Sequence, residues 1–358
     1  MKKSLGALLL ICLSSHVFAD THPVGFQYAT LADPRNERPL EMVVWYPSAT
    51  TDATPQLFGD NPVFVGAPAV LDAPAASGAH PLVVLSHGYG GSWINQTWLA
   101  SALAHQGYIV AAVNHPGTTS RDRSPQAAAQ LWQRPVDLSR AIDAVTAQPE
   151  KFGAVTKDRI AIVGHSLGGW TVLEAGGARF DPERFAKDCK VHTQLASCTA
   201  YQQMNTASTA QAKAQLAADW RDKRVTAVVS LDLGLSRGMT DASLATYPVP
   251  ILVIAAGVPS KELPAQLESV DLAKRLPKTS SRYVEISDAS HFTFMAICKP
   301  GAVAMLDKDV PGDSIICTNG ESGRPRSVIQ QQVISLITGF LAQSPAPLKQ
   351  AITYKDPR

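Results

Sequence analysis

The chain has 358 residues, of which 45% are hydrophobic and 17% charged, and a formal net charge of +2. That apolar share supplies a full core and argues against disorder. With no long basic or acidic block, nothing points to nucleic acid or an anionic membrane as a partner, and the length allows one large domain or two ordinary ones.

The first residues read as an export signal. Lys2 and Lys3 form a positive start, residues 5–13 a short apolar run, and Val17-Phe18-Ala19 a cleavage site before Asp20. The run is too short to span a bilayer, so no integral membrane segment is expected once 1–19 is removed. Cys12 follows Ile11, a poor residue before a lipidation cysteine, which leaves a lipoprotein as the lesser alternative. Loss of Lys2 and Lys3 takes the formal charge from +2 to 0. The expected destination is the periplasm or the extracellular space.

Residues 24–31 and 40–46 read as two strands around the polar turn Asp33-Pro34-Arg35-Asn36. Residues 47–80, rich in Ala, Pro, Gly and Thr, read as a long connection. The wholly apolar run 82–85 suits a strand buried on both faces and ends in Ser86-His87-Gly88-Tyr89-Gly90-Gly91. A helix is expected over 93–106, stopped by Gly107, then a buried strand over 108–113. Residues 135–147 read as a helix with Val136, Ser139, Ala141, Ile142 and Val145 inward.

Residues 159–163 form another apolar strand, followed by a helix over 170–176. Further strands are expected over 224–231, 249–256 and 281–286, and a last helix over 326–341. Strands alternating with helices imply an α/β fold, a mostly parallel sheet of about eight strands flanked by helices. Two insertions interrupt the rhythm, at 179–223 (with a helix expected over 206–220) and at 298–324. Residues 20–358 are read as one domain carrying them.

After signal removal four cysteines remain, Cys189, Cys198, Cys298 and Cys317. An even number in an exported chain suggests disulfides. Three pairings are possible. The sequence-local one, Cys189–Cys198 and Cys298–Cys317, keeps each bridge within one insertion. No short Cys-x-x-Cys pair or paired histidines suggest zinc, and no metal or organic cofactor is implied.

The chemistry centres on Gly164-His165-Ser166-Leu167-Gly168-Gly169, set between a strand and a helix. That is the context of a nucleophile elbow, in which small residues let the chain turn tightly around an exposed serine. A serine hydroxyl is a weak nucleophile and needs a base, oriented in turn by an acid, in the chain order Ser, acid, His. His291, in the loop after the last strand, is the expected base. Asp232 ends a buried apolar strand and precedes Leu233-Gly234, which makes it the expected acid; Glu262 and Asp241 rank behind it. The backbone N–H groups of Leu167 and Tyr89 are expected to form the oxyanion hole, with His87 bracing the loop. Aromatic residues crowd the expected mouth. Trp98 and Trp170 read as core, whereas Trp93 and Phe292 flank motif residues and are candidates for substrate contact.

Together, Ser86-His87-Gly88-Tyr89-Gly90, Asn114-His115, the Ser166 elbow, Leu231-Asp232 and His291-Phe292 resemble the platelet-activating-factor acetylhydrolase and dienelactone-hydrolase-like serine hydrolases of the α/β-hydrolase superfamily. The resemblance covers roughly residues 24–294. It implies a triad acid at Asp232 and a small-molecule or lipid-like ester as substrate. Dienelactone hydrolases proper use cysteine, so Ser166 argues against that activity, and the two insertions depart from the pattern. The expectation is an exported esterase working through an acyl-serine. An amidase or peptidase on the same residues is one alternative, and a non-catalytic binding protein on the same fold is another.

Overall fold

The structure, a computed structural model, describes residues 22–33, 38–50, 53–319 and 323–344. The expected signal segment 1–19 lies outside them, as does most of the turn after Asp33.

Strands form where apolar runs recur. In chain order they are β1 (Val24–Leu31), β2 (Leu40–Pro47), β3 (Gln56–Phe58), β4 (Ala67–Leu71), β5 (Ala79–Ser86), β6 (Ile109–Asn114), β7 (Ala154–His165), β8 (Ala227–Leu231), β9 (Ile251–Ala256) and β10 (Ser281–Ile286). They make one sheet in the order β10-β9-β8-β7-β5-β6-β2-β1-β4-β3. From β6 through β10 the pairs are parallel, while β1 and β2 run antiparallel to each other and β2 antiparallel to β6. The expected count of about eight strands is two short. The additional pair, β3 and β4, lies inside the stretch read as a long connection.

Period-two alternation sends successive side chains to opposite faces. On one face Leu82, Val84 and Ile162 pack under α2 (Gln133–Thr146) and α3 (Leu167–Gly176). On the other, Val83, Leu85 and Val163 pack under α1 (Thr97–His105) and the last helix (Arg326–Gln343). Residues 82–85 are wholly buried, and each such side chain contributes about 1.5–3 kcal/mol. The buried face of α2 differs from the expected one. Val136 and Ser139 are only half-buried, and Arg134, Asp137 and Leu138 point inward.

The insertion after α3 folds into three helices, Pro182–Val191, Ala196–Met204 and Ala210–Leu216, the last shorter than expected. The second holds the helix Ala302–Asp309 and a 3-10 turn, Asp313–Cys317. Both disulfides join the sequence-local pairs, Cys189–Cys198 with Cα atoms 5.5 Å apart and Cys298–Cys317 with 5.7 Å. Closing loops of this length contributes about 3 kcal/mol each in the chain-entropy account.

Candidate active site

β7 lies mid-sheet between β5 and β8, so parallel pairing brings three carboxyl ends together. Ser166 follows β7 with φ +57° and ψ −120° and is half-buried. A non-glycine residue held there stores about 1–3 kcal/mol of backbone strain. The neighbouring glycines explain how the turn closes. A Cβ on Gly164 would lie 2.0 Å from the Gly168 carbonyl oxygen, and one on Gly168 would lie 2.0 Å from that of Ser86.

Asp232 follows β8, also at positive φ (+43°). One carboxylate oxygen, Oδ1, accepts the Ala256 N–H from β9 at 2.9 Å. The other, Oδ2, accepts His291 Nδ1–H at 2.7 Å. The Asp232 side chain is 5% exposed and that of His291 19%. With Nδ1 committed to the carboxylate, His291 keeps Nε2 as its free ring nitrogen. His165 adds a contact that sequence reasoning missed. Its Nε2–H donates to the His291 carbonyl at 2.9 Å, and the two rings lie 4.6 Å apart. Burial, reinforced by the neighbouring His291, holds the His165 ring well below the usual histidine range, so it stays neutral. Ser166 N–H in turn donates to Leu231 O at 3.0 Å, which ties the serine to the residue before Asp232. Glu262 is exposed, and Asp241 pairs with Arg184 and Arg275.

The loop after β5 closes over the serine. A Cβ on Gly88 would sit 3.0 Å from Ser166 Cβ and 3.5 Å from its Oγ. The Gly88 carbonyl accepts His87 Nδ1–H at 2.7 Å and Gly91 N–H at 3.1 Å. His115 N–H donates to His87 Nε2 at 3.0 Å, which requires the His87 proton to sit on Nδ1. A trans peptide is planar, so pinning the Gly88 carbonyl fixes the Tyr89 N–H in the opposite direction. The same holds across Ser166–Leu167, where the Ser166 carbonyl accepts Gly169 N–H at 2.9 Å and Gly234 N–H at 3.4 Å. The Tyr89 hydroxyl reaches Gln203 of the first insertion at 3.5 Å, so that insertion borders the site.

A buried Ser-His-Asp chain adjoins this loop. Ser86 Oγ–H donates to His115 Nε2 at 2.9 Å, and His115 Nδ1–H donates to Asp137 Oδ2 at 2.9 Å. All three residues are fully buried, so no substrate reaches this hydroxyl and the chain acts as a brace. Burial pushes the Asp137 carboxyl up, while Arg38 pulls it back through contacts of 2.9 and 2.7 Å. Burial likewise lowers His87 and His115, so both rings are neutral. Arg134 is buried and drawn down to about 9, which leaves it cationic at neutral pH.

The second insertion is laced to the His291 loop. Ser290 Oγ donates to Thr318 O at 3.1 Å, and Arg324 pairs with Asp288 at 2.7 Å. Buried Arg326 holds the carbonyls of Ala296 and Ile316, each at 2.8 Å, on either side of the Cys298–Cys317 bridge. Phe292 stands edge-on to the His291 ring at 5.1 Å. The Trp93 ring packs among Phe26, Tyr28 and Trp45 at 5.7–6.3 Å. Among the described residues, one grouping has metal-ligand chemistry, Asp188 with Cys189 and Cys198. Its sulfurs form the disulfide, so it offers no thiolate. No helix among the described residues is long and apolar enough to cross a membrane.

Three comparisons bear on this arrangement. The sequence model of the Alpha/beta hydrolase family matches residues 83–304. A platelet-activating factor acetylhydrolase from Cavia porcellus is 26% identical over 181 residues, covering 37% of this chain and 42% of that protein, so the match spans less than half of the relative's length. A ferulic acid esterase from Streptomyces cinnamoneus superposes with a TM-score of 0.60 at 22% identity, covering 92% of this chain and 94% of the other. At that identity the superposition speaks to the fold.

Proposed function

Because the chain belongs to the alpha/beta hydrolase family, we propose that it is an exported serine hydrolase that cleaves carboxylic esters through an acyl-serine intermediate. The observation that carries this reading is the Asp232–His291 contact of 2.7 Å, made at the sheet edge where Ser166 turns out of β7. In this reading His291 Nε2 takes the Ser166 Oγ proton as Oγ bonds to the ester carbonyl carbon. The carbonyl oxygen becomes an oxyanion facing the N–H groups of Leu167 and Tyr89, each such donor contributing about 3 kcal/mol to the transition state. Collapse breaks the bond to the leaving oxygen, and His291 Nε2–H protonates the departing alcohol. Water then attacks the acyl carbon with His291 again as base, which frees the acid and restores Ser166. Asp232 keeps the proton on Nδ1 throughout and stabilises the imidazolium when it forms.

The names of the two relatives, an acetylhydrolase and an esterase, support ester over amide substrates. Two disulfides support an oxidising destination. We read residues 20–358 as one domain, with Phe292 and the first insertion bordering the acyl pocket. The test is a panel of chromogenic esters from acetyl to dodecanoyl, each set against its anilide, on the wild type and Ser166→Ala. Ester turnover that disappears in Ser166→Ala supports the reading. Faster anilide turnover would move it to an amidase, and no Ser166-dependent turnover of either would leave a binding protein on the same fold.

A further inference from the structure

Arg134 is buried on α2 and reaches both walls of the site through neutral groups. One guanidinium nitrogen, Nη2, donates to the His87 carbonyl, on the loop that carries Gly88 and Tyr89, and at 3.3 Å to Ser86 Oγ at the end of β5. Nε donates to Thr171 Oγ1 at 2.9 Å, and that hydroxyl donates to the Leu167 carbonyl at 3.0 Å, in the first turn of the elbow helix. Nη1 donates to Thr118 Oγ1 at 2.6 Å, and the Thr118 carbonyl accepts the Gly90 N–H at 2.9 Å. A planar guanidinium offers its donors in a fixed fork. One rigid group therefore bridges two walls whose strands are already paired at Ser86 and Gly164. Resting on the ester-hydrolase reading, we infer that Arg134 is a positioning residue that holds the Tyr89 and Leu167 N–H groups at the spacing an oxyanion requires.

The chemistry explains why a charge is kept in the core. Each acceptor of Arg134 is a carbonyl or a hydroxyl; Asp137 one turn along α2 favours its charged form while itself pairing with Arg38 and bracing His115 and, through it, Ser86 and His87. A lysine would present a point charge and could not span the same acceptors. Loss of the strut leaves Ser166, His291 and Asp232 in place but loosens the donors, which matter most once the oxyanion exists.

The experiment compares Arg134→Lys and the near-isosteric Thr171→Val with the wild type, using the best ester of the panel. It measures kcat, KM, and inhibition by an alkyl trifluoromethyl ketone, which Ser166 converts to a hemiketal oxyanion, against the matching methyl ketone. The expected result for Arg134→Lys is a loss of about 10²-fold in kcat, with an equal weakening of the trifluoromethyl ketone. KM and the methyl ketone should move less than about 3-fold, since they report ground-state binding. Thr171→Val, which removes one hydroxyl, should show the same pattern at about 10-fold. Equal weakening of both ketones, or full kcat in both variants, would overturn the assignment of Arg134. A wild type whose trifluoromethyl ketone inhibition does not depend on Ser166 would overturn the ester-hydrolase reading itself.

Discussion

Asp232→Asn is the substitution with the most specific consequence. In the wild type both carboxylate oxygens accept, one from Ala256 N–H at 2.9 Å and one from His291 Nδ1–H at 2.7 Å. An amide has one oxygen to give. If it stays on Ala256, the amide nitrogen faces His291 Nδ1, the ring proton moves to Nε2, and Nε2 can no longer take the Ser166 proton. If it flips, the amide N–H groups face the Ala256 N–H, and a buried donor without an acceptor costs about 1–3 kcal/mol. The first arrangement should therefore dominate, giving a folded protein with the wrong tautomer. The expected loss is about 10⁴-fold in kcat, or about 5.5 kcal/mol of transition-state stabilisation, with KM changed little. The assay is steady-state ester turnover beside circular dichroism and urea denaturation. A folded Asp232→Asn protein with kcat within tenfold of wild type would rule out Asp232 as the acid, all the more if Glu262→Gln lost activity instead.

Three further outcomes are expected. Gly168→Ala places a methyl group 2.0 Å from the Ser86 carbonyl oxygen, where backbone must give way; urea denaturation should register a loss of about 1–3 kcal/mol, and ester turnover should fall with it. Glu174 is buried, neither of its carboxylate oxygens has a hydrogen-bond partner among the described residues, and burial holds its pKa well above the usual range. A raised folded-state pKa gives stability that is full below the unfolded value and is lost as pH rises toward the folded one. Glu174→Gln should thus gain on the wild type by about 1.4 kcal/mol per pH unit above about 4.5 in urea melts, and a pH-independent difference would contradict this. Replacing Cys298 and Cys317 together by serine should lower kcat more than the same change at Cys189 and Cys198, because only the second bridge flanks the segment tied to Ser290 and the His291 loop. Equal effects on kcat in the two double variants would show that the second bridge has no role in placing His291.

Much of the frame was legible because its causes are local. The bounds of β1 and β10 agree with the expected strands, and Gly164 of the elbow follows from its contact with Gly168, four residues on. The contact between Asp232 and His291 is legible because a carboxylate at the end of a buried strand needs a partner and the loop after the last strand reaches the same edge. Strands β3 and β4 were not legible. They are short, contain Pro68, and lack alternation, so pairing with β1 at a distance decides them. The inner face of α2 was misread for a related reason. Arg134 and Asp137 look like surface residues until Arg38, far away in sequence, and the carboxyl end of β5 supply their partners. Trp93 adjoins the loop motif in sequence, yet its ring follows the aromatic side chains of β1 and β2.

Whether Ser166 is the nucleophile is read out by intact-protein mass spectrometry after treatment with a fluorophosphonate. The expected result is a single adduct on the wild type, located to the peptide that contains Ser166, with ester turnover lost in step with labelling and no adduct on Ser166→Ala. Equal labelling of the wild type and Ser166→Ala, or full turnover in the labelled protein, would contradict it.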